Sequence, residues 1–450
     1  MASFFLSGVA HEAALGRAVP SPSAGMRGDG RPAMTRHYSA LSLFKEGLFG
    51  QKGWQQAWRS PEPKPRYDIL IIGGGGHGLA TAYYLARTHN IRNVAIIEKG
   101  WLGGGNTGRN TTVVRSNYFF PESTALYDMA LRLYETLGRD LNYNIMLSQR
   151  GIITLAHSEA EMEMAARTVN AMQINGTDAE LFDIEDVRRV LPLLNVSPGA
   201  RYPVFGGVWQ GRAGTARHDA VAWGYARAAD RLGVDIIQSC EVEEFIVEGG
   251  RCRGVKTSRG EIRAERTGMV VAGHSSHLAA KAGFCLPITS YALQACVSEP
   301  VKPVLDTVVL SPGTGTYASQ SDKGELVLGG ALDRVPSYGQ RGNLPVLEDV
   351  VAGLLEMFPS FRQLRLMRQW AGIVDVTPDS SPILGESPLP GLFLNCGWGT
   401  GGFKAIPAGG TLLAHLLATG NHHDVSRPFD LDRFTRGRLI DEAAGSGIAH

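Results

Sequence analysis

The sequence predicts an α/β fold, α+β overall, in which a discontinuous domain built on a parallel sheet is interrupted by a second, β-rich domain. Three observations lead there. An apolar run, Arg66-Tyr-Asp-Ile-Leu-Ile-Ile72, passes into Gly73-Gly-Gly-Gly-His-Gly78. Helical spacing from Leu79 to Thr88 and a second apolar strand, Asn93 to Glu98, follow, completing a strand–helix–strand unit of about 30 residues. Strand-rich stretches then recur in two separate excursions before a last helix, Ala405 to Thr419, an order that suits one domain inserted twice into another.

The remaining elements fall in order. Helices are predicted over Ser123–Leu141, Glu159–Ile174 and Glu185–Leu191, and His218–Leu232 leads into strand Val234–Gln238. Gly249-Gly250 and Arg259-Gly260 punctuate strands Val242–Val247, Arg253–Thr257 and Glu261–Ala264 as hairpin turns do. Thr267–Ala272 is a further strand, Gln294–Leu332 alternates as a β-rich stretch, Pro345–Met357 is helical and Gly391–Leu394 is a strand. The expected division is an extension over 1–65, a nucleotide-binding domain over 66–145, 216–281 and 370–425, a substrate domain over 146–215 and 282–369, and a tail over 426–450.

Composition narrows the function. A formal charge of +1, from 44 basic and 43 acidic residues, excludes the basic excess that nucleic acid or anionic membranes demand. Hydrophobic content of 44% excludes disorder. Five scattered cysteines, Cys240, Cys252, Cys285, Cys296 and Cys396, form no CxxC pair, so a reduced, cytoplasmic chain with no metal site is expected. Asp68–Ala86 is apolar enough to imitate a membrane span, but four glycines and a histidine break it into strand, turn and helix. No basic residue precedes the short apolar run Ser3–Ala10. Translation from Met34 is therefore favoured over a signal peptide. Glycine is the anomaly: 56 of 450 residues, where about 7% is usual, clustered as backbone that approaches a ligand closely.

Gly73-x-Gly75-x-x-Gly78 stands directly after a strand and opens a helix. The first glycine permits the turn, the second admits a pyrophosphate, the third allows close helix–strand packing, and the helix N-terminus faces the negative charge. Glu98, twenty residues on, is placed for the ribose hydroxyls and selects against a 2′-phosphate, leaving NAD or FAD. Small and hydroxylated residues over Lys99–Thr112 suit a long extended cofactor, and a second glycine cluster, Asn395–Lys404, aims helix-terminal amides at an electron-rich flavin carbonyl. FAD is the better fit.

These residues resemble the beta-subunit family of heterotetrameric sarcosine oxidases, within the D-amino-acid-oxidase-like FAD amine oxidoreductases. The resemblance runs from about Tyr38 to His450. It is carried by Gly73–Gly78, Gly100-Trp-Leu, Arg109–Tyr118, Arg217–Trp223, Gly233–Gln238, Gly372-Ile-Val-Asp375 with Thr377-Pro-Asp379, and Asn395–Lys404. It implies noncovalent FAD held by Gly73, Gly75, Gly76, His77, Gly78, Glu98, Lys99, Asn106, Thr107, Thr111, Val113 and Val242, with Gly397, Gly399, Thr400, Gly402 and Lys404 from the second cluster. It also implies FMN carried covalently on His218, which the residues alone describe only as a histidine opening a helix. Thr215 and Arg217 would lie beside that flavin, and His274 and Tyr291 are further flavin contacts or core residues.

Arg115 and Lys404 match the family's clamp for the sarcosine carboxylate, where a bidentate arginine or close ammonium is needed. The implied reaction is oxidative demethylation of sarcosine to glycine, with O2 reduced to H2O2. The one-carbon unit passes to tetrahydrofolate as 5,10-methylenetetrahydrofolate, with alpha (folate-bearing), gamma and delta subunits as partners. Single-subunit relatives link FAD to a cysteine where this chain has Gly372, which favours noncovalent FAD. A stand-alone FAD dehydrogenase or oxidase of another secondary amino acid, such as dimethylglycine or proline, and a non-catalytic flavin scaffold remain alternatives.

Overall fold

In the computed structural model, which describes residues 39–50 and 56–442, the strand Arg66–Ile72 lies inside an eight-stranded sheet. The order runs Ile383–Glu386, Leu392–Cys396, Gly260–Met269, Arg66–Ile72, Val94–Ile97, Asp235–Ile237. Arg66–Ile72 pairs in parallel with both neighbours. Its side chains alternate between two cores. Ile69 and Ile71 face a layer containing helices Gly76–Thr88, His218–Arg231 and Gly402–Thr419. Tyr67, Leu70 and Ile72 face the hairpin Val242–Glu248/Arg251–Thr257 and its surroundings. Cover on both faces is why the strand reads as an unbroken apolar run.

Two predicted strands, Glu261–Ala264 and Thr267–Ala272, are one, Gly260–Met269. Its first half pairs with Arg251–Thr257 and its second with Leu392–Cys396. The charged pair Glu265-Arg266 that seemed to divide it sits mid-strand, with Glu265 ion-paired to Arg66 and Arg253. The helix expected from Leu79 begins at Gly76, because the glycine motif itself supplies the first turn.

A second eight-stranded sheet runs Leu366–Val376, Thr289–Pro300, Glu325–Pro336, Thr316–Gln320, Val308–Ser311, Ile152–Ala156, Gly206–Gln210, Ala179–Asp183. Leu366–Val376 pairs along Thr289–Pro300 over ten residue pairs, so it belongs wholly to this sheet, and the boundary expected at 369/370 cuts through it. The fold also extends past Thr419. Arg433 and Asp379 form a fully buried ion pair, with Nε–Oδ2 at 2.8 Å, and the buried Glu442 accepts from the backbone of Phe119 and Phe120 at 3.0 and 2.9 Å. Part of the expected tail thus anchors the Thr377-Pro-Asp379 motif from behind.

Helix Ala40–Leu48, whose N-terminus is capped by the Ser39 hydroxyl, belongs to a separate unit ending at Gln56. The start-site expectation at Met34 falls outside the described residues. Among those described, no helix is long and apolar enough to cross a membrane, no His/Cys/Asp/Glu group could hold a metal, and all five cysteines are free thiols.

Candidate active site

A cavity of about 520 Å³ opens between the C-terminal ends of the first sheet's parallel strands and the second sheet, the crevice where open α/β sheets bind ligands. Gly73 turns the chain into it with φ at +113°, and a Cβ there would overlap the Val270 carbonyl. A Cβ on Gly78 would overlap the Gly73 carbonyl. The N-terminal turn of the helix starting at Gly76 therefore packs against the sheet and faces the cavity. Glu98 holds this turn with both oxygens, accepting from Gly74 N–H at 2.9 Å and Gly100 N–H at 2.8 Å. Each oxygen keeps a lone pair for a ribose hydroxyl. Thr107 Oγ1 accepts from Gly76 N–H at 2.9 Å.

Gly73, Gly75, Gly76, Glu98 and Lys99 line the cavity, as do Asn106, Thr107, Thr111 and Val242. Gly78 lies behind the wall as a packing residue, and Val113 lies outside it, paired with Thr215. Asn106 joins the two sheets' walls: its Oδ1 accepts from Ile373 N–H at 2.8 Å and its amide donates to the Ile373 carbonyl. A glycine cradle that side chains would fill, a helix N-terminus and a ribose-placed carboxylate together fit a dinucleotide such as FAD.

The second cluster supplies Gly399, Thr400 and Gly402 to the same cavity, while Gly397 sits just behind it. His77 ties the two clusters together. Its Nε2 donates to the Gly402 carbonyl at 2.7 Å and its ring lies 4.6 Å from that of Trp398. Complete burial lowers the imidazole to about 4, against which the Gly402 bond works only partly, so His77 is neutral. Asp375, also in the wall, accepts from Gly397 N–H at 2.5 Å, and burial raises its carboxyl to about 7.

Arg115 and Lys404, the expected clamp, act on each other electrostatically, and neither lines the cavity. Both are buried. Lys404 Nζ donates to the Thr400 carbonyl at 3.1 Å, and Thr400 does line it. Arg115 donates to Asn117 Oδ1 at 2.7 Å and lies over the Tyr118 ring at 4.6 Å. Neither has an ion-pair partner among the described residues. Burial first, and then the Arg115 charge, hold the lysine well below its ordinary range.

The expected FMN residues divide. His274 lies in the main cavity wall, lowered by burial and then by Lys99, and Tyr291 stands outside it on strand Thr289–Pro300. His218 opens its helix next to the Arg217–Asp219 ion pair (2.8 Å). Its Nδ1 is buried without a hydrogen-bond partner, and burial lowers the imidazole. Thr215 touches a second, minute cavity of about 10 Å³, room for about one water. Asp375 carries no role in the sequence reading; its signal there is a carboxylate inside the apolar run Ile373-Val-Asp-Val376.

The chain matches the model of the FAD dependent oxidoreductase (DAO) family over residues 68–416. Sarcosine oxidase subunit beta of Rhodobacter capsulatus is 53% identical, the match covering 92% of this chain and 100% of that one. The Rhizobium meliloti subunit beta is 52% identical over 90% and 97%. Among solved structures, L-proline dehydrogenase from P. horikoshii superposes with a TM-score of 0.78 at 26% identity, covering 84% of this chain and 100% of that one. With this cradle and these similarities, the chain belongs to the FAD-dependent oxidoreductase family, in the branch of the sarcosine oxidase beta subunits.

Proposed function

We propose that this chain is the sarcosine-oxidising subunit of a multisubunit sarcosine oxidase. The observation that carries the reading is the burial of two basic side chains that act on each other electrostatically, Arg115 and Lys404, with no carboxylate ion pair among the described residues. Burying such charges is costly unless a counter-charge arrives, and the carboxylate of an N-methyl amino acid is one. Glu442, which accepts from the backbone of Phe119 and Phe120, feels the Arg115 charge but forms no ion pair with it within 4 Å.

Bound FAD supplies the hydride acceptor for the N-methyl carbon. The chain's residues do the rest. Gly73–Gly78 and Glu98 hold the adenosine diphosphate end, the Gly399–Gly402 turn bounds the reacting end, and Arg115 with Lys404 orients the substrate carboxylate. The neutral His77 keeps the two glycine clusters in register. The unpartnered Nδ1 of His218 supports a covalent FMN on that ring, with Arg217 and Thr215 alongside. With no roomy cavity at Thr215, such an FMN would need a partner subunit to cover it. Electron delivery to O2 as H2O2, transfer of the one-carbon unit to tetrahydrofolate, alpha, gamma and delta partners, and a cytoplasmic location complete the proposal. The likeness to L-proline dehydrogenase keeps a second reading open, a stand-alone dehydrogenase of another secondary amino acid.

One experiment separates the two. The native complex is mixed anaerobically with sarcosine, then denatured and acid-precipitated. Rapid flavin bleaching, one flavin released and one retained on the peptide containing His218, is the expected result. A fully active single chain that releases all its flavin overturns the multisubunit reading, and absence of bleaching with sarcosine overturns the substrate.

A further inference from the structure

Asp375 is a carboxyl group that this reaction leaves without a task. It sits where the two sheets meet at the cavity. Leu366–Val376 belongs to the second sheet, and Gly397 directly follows a strand of the first. The 2.5 Å bond from Gly397 N–H to Asp375 Oδ2 spans that seam. The turn lies close against the end of the Leu366–Val376 strand. Gly397 has φ at +72°, and a Cβ there would meet Thr377 Cγ2 at 2.7 Å. Thr377 is itself fixed by donating to the Ser381 carbonyl at 2.7 Å, in the network completed by Asp379 and Arg433. Asp375 therefore sets where the turn begins, and Lys404, bonded to the Thr400 carbonyl, marks its end.

The two protonation states of such a carboxyl differ in kind. Ionised, it accepts strongly from Gly397 and puts a negative charge in the wall of the flavin cavity; protonated, it is a neutral and weaker acceptor. Trp398 adds a second backbone N–H to that of Gly397, and among the described residues no charged group forms an ion pair with it. The Cys396 thiol on strand Leu392–Cys396 is pushed far up, by burial and then by Asp375. His274, on the turn Ala272–His274, is lowered by burial and Lys99. Arg109, on the turn Asn106–Arg109, donates to the carbonyls of Gly104 and Gly105. Ser290, opposite Asp375 in the sheet, donates to the Gly273 carbonyl at 2.7 Å.

We propose that Asp375 is a positioning residue whose ionisation sets the Gly397–Lys404 turn and, through it, the electrostatic surroundings of the flavin and of the clamp lysine. The proposal rests on FAD occupying this cavity but not on sarcosine being the substrate. Burial, working against backbone N–H bonds that include those of Gly397 and Trp398, raises the carboxyl to about 7, so both states populate near neutrality.

The test is a pH titration of the holoenzyme's flavin absorption and midpoint potential, without substrate, for the unmutated protein and Asp375→Asn. A one-proton transition near pH 7 in both readouts, absent from Asp375→Asn with FAD content unchanged, is expected. A transition of the same midpoint in the variant overturns the proposal. Loss of FAD from the variant would signal a purely structural bond. In that event, infrared spectra of the unmutated holoenzyme carrying carboxyl-labelled aspartate decide. A protonated-carboxyl band that disappears as pH rises through about 7 sustains the proposal, and no such band at lower pH overturns it.

Discussion

The two glycine turns that meet at the cavity are built on different physics. The Gly73–Gly78 turn is shaped by backbone close approach and by neutral or locally satisfied groups. Gly78 packs on the Gly73 carbonyl, Thr107 holds Gly76, and Glu98 answers two N–H groups. The Gly397–Gly402 turn is held by groups whose proton affinity burial has shifted: Asp375 at its start, Lys404 after its end, and His77 on Gly402. One is a steric lock. The other is an electrostatic assembly, and it lies where substrate charge has to be handled.

The steric lock gives the largest expected effect. In Gly78→Ala the new methyl meets a carbonyl oxygen, not a flexible side chain, so relief requires backbone movement. Overpacking of this kind costs about 1–3 kcal/mol and here spoils the pyrophosphate cradle. The purified variant should lack FAD by its flavin-to-protein absorbance ratio. Gly105→Ala, where no atom lies within 4 Å, should keep it. Equal flavin content in the two variants would break the steric account of the first turn.

The electrostatic assembly should yield next, in binding and not in cofactor content. A hydrogen bond to a charged group is worth about 1.5–3 kcal/mol, so Lys404→Met should weaken sarcosine roughly 10- to 150-fold while retaining FAD. The pH dependence follows from the direction of the Lys404 shift. Its folded-state value is depressed, so burial disfavours the ammonium form when the site is empty. A bound carboxylate favours the ammonium form instead. Binding must take up a proton, and affinity must fall as pH rises through the depressed value. Calorimetry of an amine-free carboxylate analogue in buffers of differing ionisation enthalpy measures that proton. An unchanged heat across buffers would mean that Lys404 does not meet the ligand.

The same contrast explains what was legible beforehand. Strand, glycine motif, helix and Glu98 lie within 33 residues, from Arg66 to Glu98, and each imposes a local pattern, so the first turn reads directly. The second turn's glycines read as a cluster, but their supports do not. Asp375 reaches Gly397 from the other sheet, and Arg433 comes from a four-residue helix too short to show periodicity. The boundary expected at 369/370 falls inside the Leu366–Val376 strand because nothing in that strand's own residues says which sheet it joins. Gly260–Met269 was divided because a surface charge pair interrupts its apolar run.

The smallest effect tests whether glycine is needed everywhere around the cavity. Gly372 lines the wall on the strand that carries Asp375. Its φ is not positive. A Cβ there meets Asn106 Oδ1 at 3.4 Å and Arg109 Cβ at 3.7 Å, ordinary contacts that ask for no backbone movement. Gly372→Ala therefore introduces no strain in the folded state and removes conformational freedom from the unfolded one, an expected gain of about 0.4–1 kcal/mol. Thermal unfolding of the apoprotein should show a slightly raised midpoint, and the variant purified as holoprotein should keep its FAD. Gly397→Ala, with its positive φ and the 2.7 Å approach to Thr377, should move the midpoint the other way. A loss of stability in Gly372→Ala as large as in Gly397→Ala would mean that the wall of the second sheet is as sterically closed as the turn at Gly397.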